Sequence, residues 1–147
     1  MKKQKKVILA CITAQKTAFN IAGTAQDLAK NMDSDLIIIT VLPERCDAEK
    51  RSTDIRILSE ISKEIGRDIR IIYSDNPVEA IKLTISELNP VHIFMGQGSE
   101  RSQFLSKVRL APSEATISVV GPDGILYSLP PLSEDIFTNN FENTDED

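Results

Sequence analysis

Apolar residues along this chain gather into short unbroken runs that alternate with longer stretches of helical spacing. Val7-Ile8-Leu9-Ala10-Cys11-Ile12 is apolar throughout, as expected of a strand buried on both faces. Thr13 to Lys16 is its polar exit. From Thr17 to Met32 the apolar positions fall at Ala18, Ile21 or Ala22, Ala25, Leu28 or Ala29, and Met32, which predicts a helix. Asp33-Ser34-Asp35 breaks that pattern. A second unbroken run, Leu36 to Leu42, ends at Pro43. After a loop over 44–48, a polar helix is expected from about Glu49 to Ile65, with Ile57 or Leu58, Ile61 and Ile65 on one face and Gly66 as its stop.

Asp68 to Tyr73 begins by alternating polar and apolar residues and ends at Ser74-Asp75. The next helix start is well signed: Asn76 can cap, Pro77 suits the first helical position, and Glu79 is placed as a capping-box partner. Val78, Ile81, Ile85 and Leu88 follow at helical spacing until Asn89-Pro90. Val91 to Met95 reads as a fourth strand that exits through Gly96-Gln97-Gly98-Ser99. Ser99 to Val108 is expected to be helical, with Phe104, Leu105 and Val108 as its apolar face, and Pro112 ends it. Ala115 to Val120 is the last expected strand, and Gly121-Pro122-Asp123-Gly124 closes the domain.

Five strands separated by helical segments imply an α/β fold, a three-layer α/β/α sandwich around a parallel sheet with right-handed crossovers. Strands one, two and four are almost wholly apolar and belong inside. Strands three and five carry polar residues (Asp68, Arg70; Thr116, Ser118) and are expected at the edges. The order 3-2-1-4-5 satisfies both conditions. Its direction reverses between strands one and four, so a ligand is expected at their carboxyl ends, outside Ile12-Thr13 and Met95-Gly96.

Composition changes this picture in one respect. The 147 residues carry a net charge of −5, but no Lys or Arg follows Arg109, and seven acids lie between Asp123 and Asp147. Removing those seven from the total of 22 leaves 15 acids against 17 bases in residues 1–120, so the body is nearly neutral. Charge therefore gives no reason to expect a nucleic-acid or membrane partner. Residues 122–147 are expected to be an acidic, mobile tail that docks through Ile125-Leu126-Tyr127 or Ile136-Phe137. Lys2, Lys3, Lys5 and Lys6 are read as a solvated lead-in to the first strand. Val7–Ile12 is too short for a signal peptide or a membrane span, and Cys11 and Cys46 do not make a disulfide framework. A cytoplasmic protein with reduced thiols is the expectation.

Candidate chemistry is sparse. His92, the only histidine, lies inside the fourth strand and is expected to be a packed or hydrogen-bonded core group. No second histidine or cysteine stands at metal-ligand spacing, and neither a nucleophile elbow nor a P-loop occurs. Catalysis has no candidate group, so the protein is not expected to be an enzyme. Gly96-Gln97-Gly98-Ser99 could meet phosphate through backbone N–H groups and a hydroxyl, with Arg101 and Arg109 nearby in sequence.

These residues resemble a known family. The Val-Ile-Leu-Ala-Cys-Ile-Thr start, Gln15 and the helix reaching Leu28-Ala29 look like the universal stress protein fold. They are most similar to the stress-protein-like segment of potassium-sensing KdpD-type histidine kinases, whose first strand often ends in Cys-(Val/Ile)-(Thr/Ser). The likeness continues through Asn76–Leu88, Met95-Gly96 and Val119-Val120, so it spans residues 5–121. Nucleotide-binding members of the family place an Asp after strand one, a Val near the end of strand two, and Met-Gly-x-x-Gly after strand four. A Gly-Ser/Thr farther on receives phosphate oxygens.

Carried over, the resemblance implies ATP or another adenine nucleotide bound across Thr13, Val41, Met95, Gly96, Gly98 and Ser99. The sequence departs from the family in three places. Thr13 replaces the adenine-side Asp, Gly98 comes one residue early with Ser99 in its place, and Val108-Arg109-Leu110-Ala111-Pro112 stands where the second Gly-Ser belongs. Alanine and proline there remove backbone freedom and one N–H donor. The reading is a regulatory protein that binds a nucleotide without chemistry and signals to a protein partner. The alternative is a ligand-free module that forms a homodimer through the last strand, Thr116, Ile117, Ser118, Val119 and Val120, as family members commonly do.

Overall fold

The computed structural model describes residues 5–15, 18–96, 115–120 and 126–129. Strands β1 (Val7–Ile12), β2 (Asp35–Leu42), β3 (Ile69–Tyr73), β4 (His92–Gly96), β5 (Thr116–Val120) and β6 (Leu126–Leu129) form one sheet in the order β3-β2-β1-β4-β5-β6. The first five are parallel, in the expected order 3-2-1-4-5. Helices α1 (Ala18–Asn31), α2 (Ala48–Ile65) and α3 (Pro77–Leu88) connect them. The expected helix over 99–108 lies outside the described residues.

The core has two halves because the strands are buried on both faces. Ile8, Ala10 and Ile12 of β1 and Leu36, Ile38 and Leu42 of β2 point toward α1 and α2, where Ile21, Ala25, Leu58 and Ile61 meet them. Leu9, Cys11, Ile39, Ile93 and Met95 point the other way, toward Ile81 and Ile85 of α3. This period-2 split of unbroken apolar runs is what a three-layer sandwich demands.

Helix ends follow local chemistry. Asn76 accepts a hydrogen bond from the Glu79 backbone N–H (3.3 Å) with Pro77 in the first turn, as expected. The α2 start differs from expectation: Asp47 is the cap, accepting from Lys50 N–H at 2.7 Å, so the helix begins at Ala48. Its end is Gly66 at φ 69°, a left-handed conformation that favours glycine, and its N–H reaches the Ser62 carbonyl at 2.9 Å.

One feature of the sheet corrects the sequence reading. Strand five is not an edge. β6 pairs antiparallel along it, Ile117 opposite Leu129, Ser118 opposite Ser128, Val119 opposite Tyr127 and Val120 opposite Leu126. The sheet therefore runs past residue 121, into the segment expected to be tail. The backbone edge expected to meet a second copy is met by the chain itself. β3 is the edge strand at the other side, as expected. Among the described residues, no helix is long and apolar enough to cross a membrane.

Thr40 supplies a stability prediction. Its side chain is 1% exposed, and its hydroxyl has no hydrogen-bond partner among the described residues. An unsatisfied buried hydroxyl costs about 1–3 kcal/mol. Thr40→Val keeps the shape and removes that cost. It is expected to leave stability unchanged or raise it by about 1 kcal/mol, read as a higher urea midpoint at unchanged slope.

Candidate functional site

The carboxyl rim of β2, β1 and β4 is the candidate site, because the strand order reverses between β1 and β4. Register aligns its members: Ile12 is opposite Thr40 and Cys11 opposite Met95, so Thr13 stands level with Val41, and Ile12 with Gly96. At a strand spacing of about 4.8 Å, the rim from β2 to β4 spans roughly 10 Å, the scale of a nucleoside. Three sequence-predicted residues thus come together from positions far apart in the chain. Thr13 is half-buried just past β1, and its carbonyl accepts from the Gln15 N–H (2.8 Å) in a tight turn into α1. Val41 is half-buried among the residues facing α3. Gly96 is half-buried and paired with Val120.

Met95 behaves differently from the rest. Its side chain is 2% exposed and packs in the α3-side core, so it supports the rim from beneath. Gly98 and Ser99 lie outside the described residues, as do Arg101 and Arg109.

A second cluster borders the same rim and went unseen in the sequence. Arg51, in the first turns of α2, lies over the Tyr73 ring, its guanidinium carbon 4.7 Å from the ring centre. Its Nε donates to Cys46 Sγ at 3.1 Å, and an Nη donates to the Pro43 carbonyl. The Cys46 hydrogen bond raises the arginine pKa further above its ordinary value. Beside it, Asp75 Oδ1 accepts from the Glu44 N–H (3.0 Å), and Ser74 N–H reaches the Leu42 carbonyl (2.9 Å). The exits of β2 and β3 are thereby tied together. No local pattern announces this corner, because its partners join residues 43–46 to 51 and 73–75 only after folding.

His92 is placed as expected, as a hydrogen-bonded packed group. It opens β4 at the amino end, with Nε2 2.6 Å from Ser118 Oγ, and its ring stacks on Phe94 at 4.5 Å and 9°. Four residue steps of strand, roughly 13 Å, separate it from the Gly96 rim. That distance removes it from any ligand there. Burial lowers its pKa below the ordinary histidine value. The folded protein then binds fewer protons than the unfolded chain as pH falls through about 6.5, so acid destabilises it. Wild type is expected to lose more stability between pH 7 and pH 5 than His92→Gln does, read as the pH dependence of the urea midpoint.

A cleft of about 390 Å³ opens at the opposite end of the sheet, lined by Leu36, Ile37, Ile38, Gly66, Arg67, Asp68 and Arg70. It lies where the amino half of β2 runs beyond β3, whose pairing starts only at Ile38 opposite Ile69. No group of three or more His, Cys, Asp or Glu placed to hold a metal occurs among the described residues.

No protein-family model matches the sequence, and no curated protein does. Solved structures do match the fold. A universal stress protein crystallised with cAMP is 14% identical, with a TM-score of 0.61 over 82% of this chain and 99% of that one. The universal stress protein from Archaeoglobus fulgidus in complex with dAMP is 15% identical, with a TM-score of 0.57 over 79% and 97%. Another universal stress protein, from Archaeoglobus fulgidus DSM 4304, is 26% identical, with a TM-score of 0.54 over 78% of this chain and 43% of that one. The five parallel strands in the order 3-2-1-4-5, with helices on both faces, are the fold this chain shares with those universal stress proteins.

Proposed function

We propose that this protein is a regulatory module of universal stress type that binds an adenine nucleotide, ATP foremost, at the carboxyl rim of β2, β1 and β4. The observation that carries this reading is the adjacency of β1 and β4 at the point where strand order reverses, with Thr13, Val41 and Gly96 on one rim. Two neighbours in fold, crystallised with cAMP and dAMP, support an adenine ligand. The action proposed is binding without catalysis, reported to a signalling partner in the cytoplasm. The one histidine supports this, since it is spent on Ser118 at the far end of its strand.

Isothermal titration with ATP, ADP, AMP and cAMP is the test. A ligand at a hundredfold excess over its Kd should raise stability by about 2.7 kcal/mol. Heat and a thermal shift from at least one of the four support the proposal. Silence from all four in both measurements overturns it and favours a ligand-free interaction module whose contact is not the covered β5 edge, in keeping with Ala111 and Pro112 where a phosphate cradle would need glycine.

A further inference from the structure

We propose that β6 is a guard strand, which occupies the outer edge of β5 within its own chain and thereby keeps two copies from pairing through that edge. The two sides of the sheet are built differently. β3, the edge strand on one side among the described residues, has no fully buried residue and presents exposed Arg70, a charged edge that resists pairing with another chain. β5, Thr116-Ile117-Ser118-Val119-Val120, has no charge, proline or glycine, and its last four residues are all buried. Such a strand with a bare edge is a ready template for another chain.

The chain supplies its own cover. β6 returns antiparallel after only five residues, 121–125, and continues the ladder over four residue pairs. A strand tethered so closely acts at an effective concentration in the millimolar range. A second copy at micromolar concentration is therefore outcompeted by roughly a thousandfold. The inference concerns the β5 edge and stands or falls separately from nucleotide binding at the rim.

The test has three arms on the full-length chain. In the first, wild type is sedimented over a range of concentrations, and a constant monomer mass is expected. In the second, Ser118→Cys and Ser128→Cys, directly opposite residues, are combined with Cys46→Ser and oxidised. The disulfide is expected within one chain, so a non-reducing gel shows monomer with two thiols lost. A dimer band, or a wild-type dimer, overturns the proposal.

In the third arm, Tyr127→Pro and Ser128→Pro are compared. Neighbouring N–H groups on a strand point to opposite sides, so only one of the two prolines breaks the ladder to β5. That one should double the sedimenting mass, while the other stays monomeric. If both remain folded monomers by circular dichroism, the guard role is overturned. Should the prolines prevent folding, hydrogen exchange on wild type decides. Protection of the 116–120 amides that is independent of protein concentration supports the guard, and protection that rises with concentration overturns it.

Discussion

Phe94→Ala should be the most damaging single substitution in the described core, costing about 3–5 kcal/mol. Phe94 is 1% exposed in the middle of β4, and its ring lies within the α1/α2-side core. Removing it leaves a cavity between the sheet and the α1/α2 layer that close-packed neighbours cannot fill. It also strips the stacking partner from His92, at 4.5 Å, and so loosens the hydrogen bond to Ser118. Set against a total of about 5–15 kcal/mol for a domain, this is a large share. The expected reading is a much lower urea midpoint at unchanged slope, and a Tm lower by about 10 °C or more. Phe94→Leu should cost less than half as much. Equal losses from both would show that the ring itself is not what the core needs.

Gly96→Val should weaken the proposed adenine-nucleotide binding at least tenfold while sparing the fold. Gly96 ends β4 beside the β1 exit, where a ligand must approach the backbone closely. A β-branched side chain suits a strand, so the pairing with Val120 can persist. The same branches would stand in the space proposed for the nucleotide. Affinity should fall at least tenfold, about 1.4 kcal/mol or more, with circular dichroism and melting nearly unchanged. Retained binding with a folded protein would remove the rim from the ligand's path.

Much of this architecture was legible because the apolar runs are long and their flanks are chemically explicit. The unbroken runs at Val7–Ile12 and Leu36–Leu42 could only be doubly buried strands, and that alone put them in the interior of the sheet. Asn76-Pro77 with Glu79 specified a helix start to the residue. The failures have physical reasons too. Asp47 does not stand out as a cap because charged residues surround it and no apolar pattern marks where the loop ends. β6 is four residues long, too short for a period-2 pattern to rise above its proline-rich surroundings. The polar Thr116 and Ser118 then made β5 look like an edge. In fact Ser118 is fully buried, with His92 bonded to its hydroxyl.

The rim was legible as a place in the sheet and less so as a set of side chains. Topology brought Thr13, Val41 and Gly96 onto one rim, which follows from strand order and register. Periodicity could not say where Met95 points, because a doubly buried strand is apolar on both faces. The Arg51–Tyr73 contact and the thiol of Cys46 had no sequence signature, since cation–ring geometry belongs to tertiary structure.

Strand β1 precedes the other five strands in sequence, yet it ends as an interior member flanked by β2 and β4. Its β2 flank can zip up through a local crossover, but its other flank waits until residues 92–96 have been synthesised. Were β3, β2 and β1 to pair first, Ile8, Leu9, Ala10 and Cys11 would line an unfilled slot until β4 arrived. Closing that slot spans more than eighty residues of chain and carries the greater loop entropy. Biogenesis is therefore most exposed to mispairing at the strand that the finished molecule hides best.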